Sequence, residues 1–196
     1  MKKLLFLLVA VCSTFFVNAQ KSKREEGIKI GIKGGLNVAN VFGDVKDNDF
    51  RTSIHVGLLA EIIVSDKFSI QPELLYSGQG YLYATPAYSN KLKLDYINLP
   101  VMCKFYLYKN SLALEAGPQV GFLVSAKNSE NNTIIRDANK VDFGLGAGLN
   151  YELKSGVFFQ GRYNLGLTNT NASSAFSYNY DRVANSVIQL SVGYLF

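Results

Sequence analysis

Between Tyr96 and Val124 the chain reads YINLPVMCKFYLYKNSLALEAGPQVGFLV, two runs of alternating apolar and polar residues joined by a break at Tyr108-Lys109-Asn110-Ser111. Ile97, Leu99, Val101, Cys103 and Phe105 share one face of the first run, opposed by Asn98, Met102 and Lys104. Leu112, Leu114, Ala116, Val120, Phe122 and Val124 share a face of the second, opposed by Glu115, Gly117, Gln119, Gly121 and Ser125. Successive side chains of a strand point to opposite faces, so period-two alternation over this length predicts a β-hairpin. Charge falls in mid-strand, which asks what each face looks onto.

The same alternation recurs along the chain, and eight segments carry it. They are Ile28 to Val38, about Thr52 to Val64, Phe68 to about Leu82, the two arms of this hairpin, Val141 to Leu153, Val157 to Thr168, and Val187 to Phe196. Breaks at Ser65-Asp66-Lys67, Lys109-Asn110 and Lys154-Ser155-Gly156 are tight, whereas those at about 39–50, 83–93, 126–140 and 169–184 are long and polar. An even number of antiparallel strands then places both termini and every tight turn at one end, with the long loops at the other. Short turns opposite long loops are the pattern of an outer-membrane barrel, and each segment approaches the roughly 9–11 residues needed to cross a bilayer tilted.

Residues 1–19 read as a cleavable signal peptide. Lys2 and Lys3 give the basic start, Leu4 to Val11 the apolar run, and Val17-Asn18-Ala19 the residues a signal peptidase reads. Val11 is bulkier than a lipoprotein site accepts before its cysteine, so Cys12 is read as apolar filler. The mature chain, 20–196, forms one domain with Cys103 as its single cysteine, which leaves no intramolecular disulfide to form. Loss of Lys2 and Lys3 lowers the formal charge from +5 to +3, and no basic block remains to favour nucleic acid. Nor does any run of about 18 apolar residues follow the signal to make a spanning helix.

Turn chemistry sets two registers. Lys154-Ser155-Gly156 suits a three-residue loop with Gly156 left-handed, which pairs Leu153 with Val157 and sets Gly148 opposite Arg162. Lys109-Asn110 as a two-residue loop pairs Tyr108 with Ser111 and Lys104 with Glu115, a cross-strand ion pair. Pro72, Pro100 and Pro118 remove ladder donors. Pro118 faces Val101 and Pro100 faces Gln119, so a bulge or a water-filled gap is expected there.

A soluble lipocalin-like barrel would alternate in the same way with its apolar face inward. Against it, the polar face mixes charges with glycines (Gly31, Gly57, Gly117, Gly121, Gly144, Gly146, Gly148, Gly193), which suits a crowded lumen. Phe68, Phe105, Tyr151, Phe159, Tyr194 and Phe196 lie on the apolar face near segment ends, where a girdle at the membrane surface would place them. The chain stops at Phe196 after Ile188, Leu190, Val192 and Tyr194, resembling the C-terminal signal by which outer-membrane barrels are recognised for assembly. The fold expected is all-β: an eight-stranded antiparallel up-and-down transmembrane β-barrel.

QPELLYSGQG (71–80), YINLPVMCKF (96–105), LEAGPQVGFLVSA (114–126) and DFGLGAGLNYEL (142–153) resemble the porin-like, PorT-type outer-membrane β-barrel family, with similarity in order and spacing over nearly all the mature chain. The resemblance implies an OmpX-like barrel in a Gram-negative outer membrane. It also implies contact with outer-membrane lipid, lipopolysaccharide included, and passage through periplasmic chaperones and the barrel-assembly machinery. It implies no particular activity.

The candidate chemistry is sparse. His55, the single histidine, shares a face with Ser53, as a lipid hydrolase dyad would, but both point inward and no GxSxG elbow is present. A lumen imidazole bonded to Ser77 or a carboxylate is the structural alternative. Lys29, Lys33, Arg51, Glu61, Glu73, Lys104, Glu115, Asp142, Glu152 and Arg162 are ten inward charges, five of each sign. An eight-stranded lumen is only about wide enough for its own side chains, so interleaved charges are expected to form a closed polar core and not a pore. Asp44, Asp47, Asn48 and Asp49 lack the spacing of a calcium loop. Lys91, Lys93, Lys127 and Arg136 in the other loops could meet lipopolysaccharide phosphates, but scattered basic residues are ordinary there. No metal cluster, phosphate-cradling glycine loop or cofactor motif appears. The expected protein is non-enzymatic, structural or surface-interacting, with a narrow porin-like channel and a lipid-modifying enzyme as alternatives.

Overall fold

The computed structural model describes residues 27–43, 48–85, 88–108, 111–127, 139–168 and 183–196; the expected signal peptide lies outside them. The strands are β1 (Gly27–Gly43), β2 (Asn48–Asp49), β3 (Arg51–Ser65), β4 (Phe68–Thr85), β5 (Tyr88–Tyr108), β6 (Leu112–Lys127), β7 (Val141–Glu152), β8 (Val157–Gly166) and β9 (Val183–Leu195). Each long strand pairs antiparallel with its sequence neighbours, and β1 pairs with β9, so eight strands close on themselves. The two-residue β2 adds to β4 at Leu82 and Tyr83.

Opposed partners followed around the wall from Gly31 return to the same strand at Val41, a stagger of ten residues. With strands about 4.8 Å apart rising about 3.3 Å per residue, that stagger tilts them by roughly 40°. The same geometry gives a backbone radius of about 8 Å, which inward side chains can fill.

Every expected strand is present with the expected face outward. Leu58, Leu99, Leu114, Leu145, Phe159 and Leu190 are exposed, while their chain neighbours point into the barrel. Exposed apolar residues on each of the eight long strands form a continuous outer belt, the reverse of a soluble barrel. The six aromatics Phe68, Phe105, Tyr151, Phe159, Tyr194 and Phe196 cluster at the tight-turn end. Phe68 pairs with Phe105 and Tyr151 with Phe159, and the rings of Tyr194 and Phe196 meet edge to face at 5.1 Å.

The β7–β8 turn forms as its sequence dictates. Gly156 adopts φ +89°, Leu153 N–H donates to the Val157 carbonyl at 2.8 Å, and Gly148 faces Arg162. The β5–β6 turn departs from expectation, because Tyr108 pairs with Leu112 and not with Ser111. The one-residue shift falls between Tyr106 and Tyr108, so Lys104 still faces Glu115. Nor is the β4–β5 connection the long loop expected over 83–93: β4 runs to Thr85 and β5 begins at Tyr88, which makes a long hairpin.

The prolines cause no bulge. Pairing lapses beside each of them, between Leu59↔Glu73 and Ile62↔Ile70, between Pro72↔Val101 and Leu75↔Asn98, and between Pro100↔Gln119 and Cys103↔Ala116. The register is the same on both sides of every lapse. A Cβ on Gly117 would overlap the Val101 carbonyl oxygen, so the strands stay in backbone contact and leave no water-filled gap.

Candidate functional site: the filled lumen

The lumen is built in layers. At the tight-turn end Leu59, Phe158 and Leu195 pack into an apolar plug, and Lys29 Nζ reaches Glu152 Oε1 at 2.9 Å. Gly193 makes this possible, because a Cβ there would overlap the Phe158 ring. Above the plug lies a single ion network from six strands. Arg162 forks onto Glu73, with Nη1 to Oε2 at 2.9 Å and Nη2 to Oε1 at 2.7 Å, while its Nε donates to Glu115 Oε1 at 2.7 Å. Lys33 Nζ sits 2.8 Å from Glu73 Oε2 and donates to Gln160 Oε1 at 2.7 Å. Gln160 Nε2 closes the ring on Glu115 Oε2 at 2.8 Å.

Gln71 links this ring to a second centre. Its Nε2 donates to Glu73 Oε1 at 2.7 Å, and its Oε1 accepts from Lys104 Nζ at 3.0 Å. Lys104 also approaches Glu61 Oε2 at 3.5 Å, and Glu61 Oε1 accepts from Ser69 Oγ at 2.7 Å and Tyr106 Oη at 2.5 Å. Lys33, Lys104 and Arg162 thus balance Glu61, Glu73 and Glu115. All six are buried, as a charge must be paired to survive out of water.

The expected Lys104–Glu115 ion pair does not form although the register holds. Lys104 leans toward Glu61 and Gln71, and Glu115 is taken by Arg162 and Gln160. Arg162 reaches it from β8, across β7, because Gly148 leaves the space open. A Cβ at Gly148 would lie 3.1 Å from Glu115 Oε1.

His55 is buried one layer higher, bonded through Nδ1 to Asn37 Oδ1 at 2.7 Å and through Nε2 to Ser191 Oγ at 2.8 Å. Its partners are therefore neither Ser77 nor a carboxylate. Ser53 Oγ donates to the Gly78 carbonyl at 2.6 Å, so Ser53 and His55 do not form a dyad. The β3–β4 ladder ends at His55↔Ser77, and side chains replace it beyond. Asn37 Nδ2 donates to the Gly78 carbonyl at 2.7 Å, and Arg51 donates to that of Gln79. Asp142, near the long-loop end, accepts from Asn185 Nδ2 at 2.8 Å and stands apart from the ion network.

Of the inward charges read from the sequence, Lys33, Glu61, Glu73, Lys104, Glu115 and Arg162 are brought together, whereas Arg51, Asp142 and the Lys29–Glu152 pair lie elsewhere. The sequence reading did not single out Gln71, Gln160, Ser69, Tyr106, Asn37 and Ser191 as network partners. Their only signal was being polar or aromatic in the inward phase. Among the described residues no group of three or more His, Cys, Asp or Glu is placed to hold a metal.

Residues 18–171 match the model of a family described as outer membrane protein beta-barrel domain. No curated protein matches the chain. Among solved structures, Ail, the attachment invasion locus protein of Yersinia pestis, is 16% identical with a TM-score of 0.53, over 87% of this chain and 99% of that one. Neisserial surface protein A (NspA) is 12% identical with a TM-score of 0.56, over 87% of this chain and 100% of that one. At such identities the likeness is one of fold. The family match takes in well over half the chain, and the outward apolar belt and closed wall agree with it: the chain belongs to the outer membrane protein beta-barrel domain family, integral to the Gram-negative outer membrane.

Proposed function

We propose that this outer-membrane barrel works through its outer surface and its long-loop end, and that no solute passes its lumen. The observation that carries this reading is the ion network, in which the side chains of Lys33, Glu73 and Arg162 have 0% exposure. Three cations and three anions, in two centres joined through Gln71, fill a lumen of this radius, and the apolar plug backs them on one side. Purified protein in planar bilayers should show no steady unitary current; a reproducible one would favour the narrow channel and overturn the reading. Separate engagement of Ser53 and His55 supports a non-enzymatic role, and intact phospholipid and lipopolysaccharide acyl chains after incubation with the barrel would test it.

The finer features rest on their own supports. Tight turns, the start of β1 and the end of β9 at one rim favour a periplasmic side there, after removal of residues 1–19, with long loops outside. The apolar stripe Ile188, Leu190, Val192, Tyr194 and Phe196 is our candidate for the signal read by chaperones and the assembly machinery. The segments at 71–80, 96–105, 114–126 and 142–153 support a PorT-type subgroup. At the long-loop end Lys93 lies directly across from Lys127. Two lysines so placed put positive charge at that rim, which a phosphate of lipopolysaccharide would complement. Ail has been crystallised with the heparin analogue sucrose octasulfate, which makes polyanions the first class of loop ligand to test.

A further inference from the structure

Most glycines of the wall have a packing reason, because an added Cβ at Gly31, Gly35, Gly57, Gly117, Gly146 or Gly193 would collide with its surroundings. Gly161 has none. Its side points outward, and a Cβ there would meet nothing closer than Leu190 Cδ2 at 3.9 Å. Glycine weakens a strand and packs nothing, so a glycine without an internal reason directs attention to what lies outside it.

Leu149, Gly161, Leu190 and Leu36 lie side by side on β7, β8, β9 and β1, so Gly161 is a notch between two exposed leucines. Below it on β8 stands Phe159; above it Tyr163 leans away, its Oη 3.0 Å from Ser186 Oγ. The notch is the floor of a shallow, open and almost wholly apolar groove of about 700 Å³ that runs obliquely from Leu36 to Leu112 and Tyr151. Its lower end meets the aromatic girdle beside the β7–β8 turn, where Lys154 is exposed.

We propose that this groove seats one acyl chain of a phospholipid, with Gly161 as its floor and the phosphate headgroup beside Lys154. The groove is continuous with the lipid-facing belt, which argues for lipid as the occupant. An exposed cation at the girdle end suits an anionic phosphate and gives the chain a direction. The inference rests on the barrel's place in the membrane and is independent of whether the lumen conducts.

The test is native mass spectrometry of the full barrel released from vesicles of phosphatidylethanolamine and phosphatidylglycerol. Wild type should keep one phospholipid at energies that strip the rest. Gly161→Phe should lose it, and Lys154→Gln should retain it severalfold less. Ala60→Phe, outward on β3 away from the groove, should keep it. Each variant is first shown to be folded by the heat-dependent shift of its gel mobility. Unchanged retention in Gly161→Phe, or equal loss in Ala60→Phe, overturns the proposal. So does a cross-linked dimer that Gly161→Phe abolishes, which would assign the groove to a second copy.

Discussion

Gly148 on β7 stands directly opposite Arg162 on β8, and the space its missing side chain leaves is where Arg162 passes to reach Glu115. A Cβ at Gly148 would also overlap the Gly161 carbonyl oxygen. Overpacking of this kind typically costs about 1–3 kcal/mol, and displacing a buried guanidinium adds to it. Gly148→Val should therefore lower the urea midpoint of the barrel in lipid vesicles by more than the same change at Gly161, which has room.

Arg162 carries two carboxylates, so its removal leaves both Glu73 and Glu115 buried with less compensation. Arg162→Met should cost about 3–5 kcal/mol, the usual penalty for breaking a buried pair. The double change Arg162→Met with Glu73→Gln should recover part of that loss. Urea unfolding followed by tyrosine fluorescence checks both, and additivity of the two changes would show that the groups are not coupled.

Lys104 should matter less. Its contact with Glu61 is 3.5 Å long, and Glu61 keeps hydrogen bonds from Ser69 and Tyr106 without it. Lys104→Met is expected to cost about 1–2 kcal/mol by the same unfolding measurement. A loss equal to that of Arg162→Met would show the network to be more cooperative than its geometry implies.

Depth in the bilayer sets the penalty on the outer face. Leu190→Arg, at the middle of the belt, should cost about 2–4 kcal/mol, and Ile28→Arg, at its end, about 0–1. Equal costs at the two positions would misplace the belt.

Phe196 is 72% exposed, and its N–H donates to the Ile30 carbonyl at 2.8 Å. If the terminal stripe is read during assembly, Phe196→Ala should refold from urea into vesicles nearly as well as wild type. Its level in cell outer membranes should nonetheless fall severalfold. Loss in both assays would make the residue structural.

The wall was legible because strand alternation is a local property: every inward and outward assignment rests on the neighbour one residue away. Gly156 likewise announced its turn, since a left-handed position there admits little else. The lumen was legible only as a set. Phase placed Lys104 and Glu115 on one face and turn length placed them opposite each other, yet neither bonds the other. A side chain that long chooses among partners two or three strands away, and those distances depend on stagger and radius, which no single hairpin contains. Leu59, Phe158 and Leu195 were hidden for a related reason. An apolar residue in the inward phase reads as noise until three of them are seen to meet.

The pairing of β1 with β9 carries a consequence for biogenesis. Gly31 faces Leu195 and Ile30 receives the N–H of Phe196, so the first strand finds its second neighbour only when the last residues arrive. A chain halted before β9 would hold two open edges and an unsealed interior. Closure of this wall therefore waits on its last strand: hairpins can pair beforehand, but the interior is sealed only when β9 meets β1.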